Sequence, residues 1–422
     1  MTTAPHRPEG LAAYITVTAA YWAFMLTDGA LRMLVLLHFH TLGFSPVQLA
    51  YLFILYEVMG VVTNLSAGWL AARFGLTSTL YAGLGLQIIA LIALAQLDPT
   101  WSLTTSVVFV MVVQGLSGVA KDLAKMSAKS AVKLLAPEGE GGLFKWVAVL
   151  TGSKNAVKGL GFLLGAVILA VWGFQASVCV MAAVLAVILV GVIAFMPPGL
   201  PQGKKSAKFS HVFSKDQNVN RLSLARMFLF GARDVWFVVG IPIYFYAVLS
   251  DGSEEGNRAA FFIIGTFMAA WIILYGFVQG LAPKLLKAKT ATTPEITRKA
   301  ILWVAVLTLI PLALAAAVYA DLPGLTPILV AGLLVFGFVF AVNSSVHSYL
   351  ILAFTTGERV TMDVGFYYMS NAAGRLIGTL LSGLSYQLGG LPLCLLTAAL
   401  MAAASTLAAN RLRSVTANTY PA

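Results

Sequence analysis

The chain has 422 residues, 59% hydrophobic and only 10% charged, with a mean hydropathy of +0.88 and a net charge of +11. A soluble domain carries about 25% charged residues, so the composition excludes a soluble globular protein and indicates one embedded in a bilayer. The positive balance follows from membrane topology, because most lysines and arginines fall on one set of inter-helix connections, and it needs no nucleic-acid partner.

A membrane span takes roughly 20 mostly apolar residues. Windows of that kind predict about twelve helices, at 11–37, 46–71, 77–97, 102–133, 143–170, 176–196, 219–249, 259–282, 299–320, 326–354, 362–388 and 391–410. The first follows MTTAPHRPEG with no small-residue cleavage site and exceeds a signal-peptide core, so it is expected to remain as a helix. Basic connections resist translocation. One set carries Arg73, Lys129, Lys133, Lys204, Lys205, Lys208, Lys215, Arg221, Lys284, Lys287, Lys289, Arg298, Lys299 and Arg359, and the other only Arg258. With Arg7 before the first helix and Arg411 and Arg413 after the last, both termini are expected in the cytoplasm.

The longest polar stretch, residues 197–218, is rich in Pro, Gly and Lys and reads as a cytoplasmic linker. It divides the chain into six-helix bundles at 1–196 and 219–422. Sliding the sequence by 206 residues places Phe24 on Phe230, Asp28 on Asp234 and LHFHTL on IYFYAV. An offset of 216 pairs Asn155 with Asn371 and Gly173 with Gly389. The two helices so related each carry a Gly-xxx-Gly pair, Gly161 with Gly165 and Gly374 with Gly378, which permits close helix approach. The fragment Gly68 to Gly75, GWLAARFG, resembles the short loop signature of the major facilitator superfamily, with Ala72 where an acidic residue usually precedes the arginine. The fold expected is therefore an all-α integral membrane protein of twelve transmembrane helices in a 6+6 pseudo-twofold major facilitator arrangement.

A charge at mid-bilayer costs about 2.5–3.5 kcal/mol on insertion scales, so a residue that keeps one there faces a cavity or a partner. The acidic residues read as intramembrane are Asp28, Glu57, Asp122 and Asp234; the basic ones are Arg32, Lys121, Lys125, Lys154, Lys158, Arg226, Arg233 and Arg375. Cations outnumber carboxylates, which points to an aqueous cavity that receives an anion. Asp28 and Arg32 are four residues apart and are expected to pair along one helix face. Lysines 121, 125, 129 and 133 form a stripe of which the last two read as cytoplasmic anchors, while Lys121 and Lys125 would draw anions inward. Lys154 and Lys158, beside Asn155, sit deeper, although Lys158 could also snorkel to the surface. Arg32, Arg233 and Arg375 present flat forks suited to phosphate or arsenate oxygens, with a local Arg233–Asp234 pair as the structural alternative. Asn343 and His347, four apart, are expected to complete the cavity.

Glu57 has no basic residue three or four positions away on its own helix, so it is the first candidate for a coupling proton, with Asp28 and Asp234 beside it. The alternative is that these carboxylates only neutralise neighbouring arginines. His38 and His40 lie at the outer end of the first helix, where histidines commonly act as inert anchors. Cys179 and Cys394 lack disulfide, CxxC or zinc spacing and read as buried apolar residues, so no metal or cofactor is expected.

Three runs, YWAFMLTDGALRMLVLLHFHTLGFSP, GLSGVAKDLAKMSAKSAVKLL and KWVAVLTGSKNAVKGLGF, closely resemble the ArsJ family of organoarsenical efflux permeases. That resemblance implies export of 1-arseno-3-phosphoglycerate, formed when glyceraldehyde-3-phosphate dehydrogenase uses arsenate in place of phosphate. It also implies the inner membrane of a bacterium, arsenate resistance as the outcome, and a monomer. The charge pattern suits such a polyanion, and two separated cysteines suit oxygen-bound pentavalent arsenic. The expected mechanism is alternating access coupled to protons by antiport; the alternative is exchange of a phosphorylated metabolite such as phosphoglycerate against phosphate. No GxSxG, HExxH or nucleotide loop supports an enzyme.

Overall fold

The structure is a computed structural model that describes residues 7–135, 142–196, 214–286, 293–354 and 360–412. Most of the 197–218 linker lies outside the described residues, as do the side chains of Lys129, Lys133 and much of the Gly68 to Gly75 fragment. All regular structure among the described residues is helical, as a bilayer demands of a chain that must satisfy its backbone groups within each segment.

The first group of helices comprises α1 (Arg7–Thr41), α2 (Pro46–Phe74), α3 (Leu76–Leu94), α4 (Leu103–Leu135) and α5 (Gly142–Phe195). Beyond the linker come α6 (Gln217–Val235), a π-helical turn (Trp236–Gly240), α7 (Ile241–Leu249) and α8 (Glu254–Leu285). The chain ends in α9 (Thr293–Tyr319), α10 (Leu325–Phe354) and α11 (Val360–Ala409). The helices form two compact units, one built from residues 1–44, 51–209 and 245–273, the other from 45–50, 210–244 and 274–422.

Ten described helical stretches are long and apolar enough to cross a membrane, whereas the sequence suggests about twelve. The difference lies at two joints. At 1.5 Å per residue, the 43-residue stretch 153–195 and the 47-residue stretch 363–409 are each far longer than a hydrocarbon core about 30 Å thick. Both break at glycine: Gly173 has φ 74° and Gly390 has φ 62°, a left-handed conformation that costs a residue with Cβ heavily.

Packing shows that the chain doubles back at each joint. The first arm of α11 runs alongside α6 in the same direction, with Gly374 against Met227 and Gly378 against Gly231. Its second arm runs the other way: Cys394 donates to the Val235 carbonyl at 2.8 Å and Ser405 to the Ala225 carbonyl at 2.7 Å. In the first unit, Gly161 of α5 meets Gly29 of α1 and Gly165 meets Ala30, while the second arm of α5 brings Gln175 to Ala95 just past α3 and Val192 to Tyr81 on α3. The two Gly-xxx-Gly pairs singled out in the sequence are thus the contact seams of α1 with α5 and of α6 with α11.

Asp216 caps α6, accepting from the backbone N–H groups of Asn218 and Val219 at 2.7 and 2.9 Å. The π turn precedes Pro242, which has no N–H to continue the ladder. The Ile241 N–H reaches back to the Trp236 carbonyl, and the Ser382 hydroxyl of α11 accepts from Val239 and Gly240 at 3.1 and 3.3 Å. Ser382→Ala would leave these buried donors without that acceptor. It should cost about 1–3 kcal/mol, read as a thermal midpoint lowered by several degrees in detergent.

Side chains exposed on the spans are apolar, such as Val187 at 73%, Leu309 at 62% and Leu388 at 71%, while the charged ones are turned inward. Outside the spans, hydrogen bonds from Thr100 hold the Asp98 carboxyl below the usual carboxylate range, and Ser253 does the same for Asp251.

Candidate functional site

In the first unit the intramembrane charges form two bridges from α1 to its neighbours and a third pair on α4. Asp28 is 3% exposed and accepts from the Lys158 ammonium of α5 at 2.8 Å and from the Tyr56 hydroxyl of α2 at 2.6 Å. One helical turn further along α1, Arg32 donates to Glu57 of α2 at 3.3 Å, with its guanidinium 5.1 Å from the Phe53 ring centroid. Glu57 is fully buried. The expected Asp28–Arg32 pair is therefore replaced by two bridges to other helices. Glu57 has its cation on α1, a partner that same-helix spacing does not reveal.

On α4, Asp122 is fully buried and accepts from Lys125 and Thr63 at 2.6 and 2.7 Å, and from Asn64 at 3.3 Å. Lys125 also donates to Asn64 at 2.6 Å, which ties α4 to α2. Lys121 lies buried with its ammonium 4.0 Å from the Tyr56 ring centroid. Lys154 is half-buried and Asn155 buried on the same arm of α5 as Lys158. Lys158 turns inward to Asp28 instead of snorkelling.

The second unit repeats part of this pattern. Asp234 of α6, 1% exposed, accepts from Arg233 at 2.6 Å and from Arg375 of α11 at 3.3 Å. The repeat-related carboxylates Asp28 and Asp234 thus each take a cation from the helix that packs on their own along the glycine seam. The structural alternative for Arg233, a local pair with Asp234, is the arrangement found.

A separate polar group lies around Arg226, a residue the sequence places in the membrane but not in the site. Its Nε donates to Asn371 at 3.1 Å, and its Nη1 to the carbonyl and hydroxyl of Ser344 at 2.9 and 3.0 Å. Ser344 also accepts from Gln279 at 3.1 Å. Asn343 and His347 flank Ser344 on α10, fully buried. The signal for Arg226 in the sequence is Asn371, already marked as the repeat partner of Asn155.

Among the described residues, at least five of the eight intramembrane cations engage the carboxylates Asp28, Glu57, Asp122 and Asp234. A fifth carboxylate missed by the sequence tally, Asp363, is buried in the first turn of α11. At the C-terminal end of α1, His38 stacks on Phe174 with centroids 4.2 Å apart, and His40 meets the edge of Tyr246 at 4.7 Å. Cys394 is buried, as expected, whereas Cys179 is exposed on an apolar arm.

Apolar helices that enclose charged networks define a polytopic membrane protein with an ionic interior. The model of the Major Facilitator Superfamily matches residues 13–297, most of the chain, and the chain belongs to that superfamily. It is a multi-pass membrane transporter. Similar solved structures include a POT family transporter in complex with a thioalcohol-conjugated peptide, at TM-score 0.70 and 15% identity over 94% of both chains. A POT family transporter in complex with 5-aminolevulinic acid aligns at 0.69 and 16% identity, again over 94% of each. A mutant of the nucleoside transporter NupG aligns at 0.67 and 15% identity, over 96% of this chain and 98% of that one. At these identities the likeness concerns the fold. No curated protein matches the chain.

Proposed function

We propose that this transporter exports a small organic polyanion, 1-arseno-3-phosphoglycerate, by alternating access, and thereby confers arsenate resistance in a cell whose glyceraldehyde-3-phosphate dehydrogenase has accepted arsenate. The observation that carries the reading is the excess of inward-turned cations over carboxylates, eight against five once Asp363 is included, in a membrane interior where a bare charge is costly. The resemblance of α1, α4 and α5 to the ArsJ family supplies the identity of the cargo.

In this reading, the six-helix bundles 1–196 and 219–422, joined by the linker 197–218, each contribute cations. Arg32, Lys154, Asn155 and Lys158 hold the anion in the first, with Lys121 and Lys125 guiding it inward. Arg233, Arg375, Asn343 and His347 hold it in the second. Three of these cations rest on carboxylates that the anion would replace: Lys158 on Asp28, Arg32 on Glu57 and Arg375 on Asp234. Such carboxylates, once displaced, are the groups able to carry a coupling proton, and antiport is the form proposed.

Inverted vesicles supplied with enzymatically generated arseno-ester test the reading. Wild type should accumulate arsenic, and Lys154→Ala and Arg32→Ala should each lose at least tenfold in initial rate. Equal uptake by all three would overturn the site, and no uptake by wild type would overturn the substrate. Excess phosphoglycerate separates the second reading: strong competition assigns the carrier to phosphorylated metabolites generally. Export of an anion from a negative interior already gains about 2.3 kcal/mol per charge per 100 mV. Collapsing the pH gradient therefore isolates the proton, and an unchanged flux would remove antiport.

A further inference from the structure

We infer that Arg226 is the principal oxyanion anchor of the second unit, with Asn343 and His347 as the neutral donors that complete its subsite; this deepens the anion-export reading and rests on it.

Arg32, Arg233 and Arg375 each reach a carboxylate. Arg226 is 5% exposed, yet its described hydrogen bonds go only to neutral acceptors: Asn371, and the carbonyl and hydroxyl of Ser344. Its guanidinium also lies 4.1 Å from the Phe230 ring centroid and 5.0 Å from that of Tyr367. These contacts fix the plane of the fork without neutralising it. They occupy Nε and both hydrogens of Nη1, so the outward pair of donors on Nη2 is the part left to meet a ligand.

The second observation comes from α10. Asn343 and His347 are fully buried, and both polar atoms of each side chain lack a hydrogen-bond partner among the described residues. They are four residues apart and so share one face of α10, and they lie within one turn of Ser344, which holds Arg226. Buried polar groups are nearly always satisfied, and those left over mark a place where something else binds.

Water could satisfy the amide and the imidazole but carries no charge to balance the arginine. A tetrahedral oxyanion does both, because its several oxygens accept from Nη2, from the Asn343 amide and from an imidazole N–H at once. Arg233 and Arg375 share the Asp234 carboxylate, which competes with a ligand for both forks and makes them the weaker anchors. The ligand chemistry is a phosphate-type oxyanion, supplied either by one end of the cargo or by free inorganic phosphate.

The test is titration of the purified full-length protein with 3-phosphoglycerate and with inorganic phosphate, followed by calorimetry and by the rise in thermal midpoint that ligand binding produces. Wild type should bind, Arg226→Gln should weaken binding at least tenfold, and Arg233→Gln should weaken it less. Binding of phosphoglycerate alone assigns the subsite to the cargo, and equal binding of phosphate assigns it to the free ion. If Arg226→Gln does not fold, the pair Asn343→Leu and His347→Leu decides. Each fills its own volume without a donor and should weaken binding about three- to tenfold. Wild-type binding that survives in the Arg226 variant, or in both leucine variants, overturns the assignment of Arg226 and leaves anion export standing. A wild type that binds neither anion overturns the subsite, and the arsenic uptake assay decides the export reading separately.

Discussion

Asp234→Asn is expected to lower the stability of the protein more than any other single change at a charged position of the second unit. The carboxylate is 1% exposed and holds two guanidiniums, from Arg233 on its own helix and Arg375 on α11. Removing one partner from a buried pair costs about 3–5 kcal/mol, because the surviving charge is left in a medium that solvates it poorly. Here two charges survive. Loss of that size is at least about a fifth of the 5–15 kcal/mol that usually separates folded from unfolded protein, and all of it for a marginal one. Thermal unfolding in detergent should place Asp234→Asn well below Arg233→Gln and Arg375→Gln, each of which leaves the carboxylate with one cation. The double variant Asp234→Asn with Arg375→Leu should recover part of the loss, since it removes one stranded charge. If Asp234→Asn unfolds at the wild-type temperature, the carboxylate is not the counter-charge described.

Gly374→Leu is expected to prevent the second unit from assembling. A Cβ at Gly374 would fall within bonding range of the Met227 backbone carbonyl, and backbone cannot rotate away as a side chain can. Gly378, one turn on, meets the backbone of Gly231 in the same way, so α6 and α11 touch along two successive turns with no side chain between them. Forcing a leucine into that seam must part the helices, and with them the Asp234–Arg375 bridge and the Ser382 contact with the π turn. In membranes, packing of this kind is a main source of helix association, because lipid offers no hydrophobic gain. Gly280→Leu on α8 is the control: nothing lies within 4 Å of a Cβ there. Fluorescence-detected size exclusion should show a folded peak for Gly280→Leu and aggregate for Gly374→Leu. Two folded peaks of equal height would contradict the seam.

Hydropathy carried most of the fold, because a bilayer imposes one length and one backbone solution on every span. The glycine seams were legible too, as Gly161, Gly165, Gly374 and Gly378 stand out within helices where glycine is costly unless a neighbour needs the space. The expected breaks at 170–176 and 388–391 fall on the glycine turns at Gly173 and Gly389–Gly390, where one or two glycines turn the chain. The ion pairs escaped. Spacing along the chain ranks partners on the same helix, and so favoured Asp28 with Arg32. The structure sends Arg32 to α2 and meets Asp28 with Lys158 from α5, because α1 has close neighbours on both sides. The internal repeat contained the clue: Asp28 maps onto Asp234, and Lys158 falls one residue away from the position that maps onto Arg375 at an offset of 216. That single-residue slip concealed two equivalent bridges.

The turns at Gly173 and Gly389–Gly390 also bear on how the chain is made. Neither leaves a hydrophilic segment between its two arms, so the insertion machinery has nothing there to recognise as a stopping point. Each pair of arms is thus a continuous apolar hairpin whose two spans are joined by glycine alone, a form suited to entering the lipid as one unit.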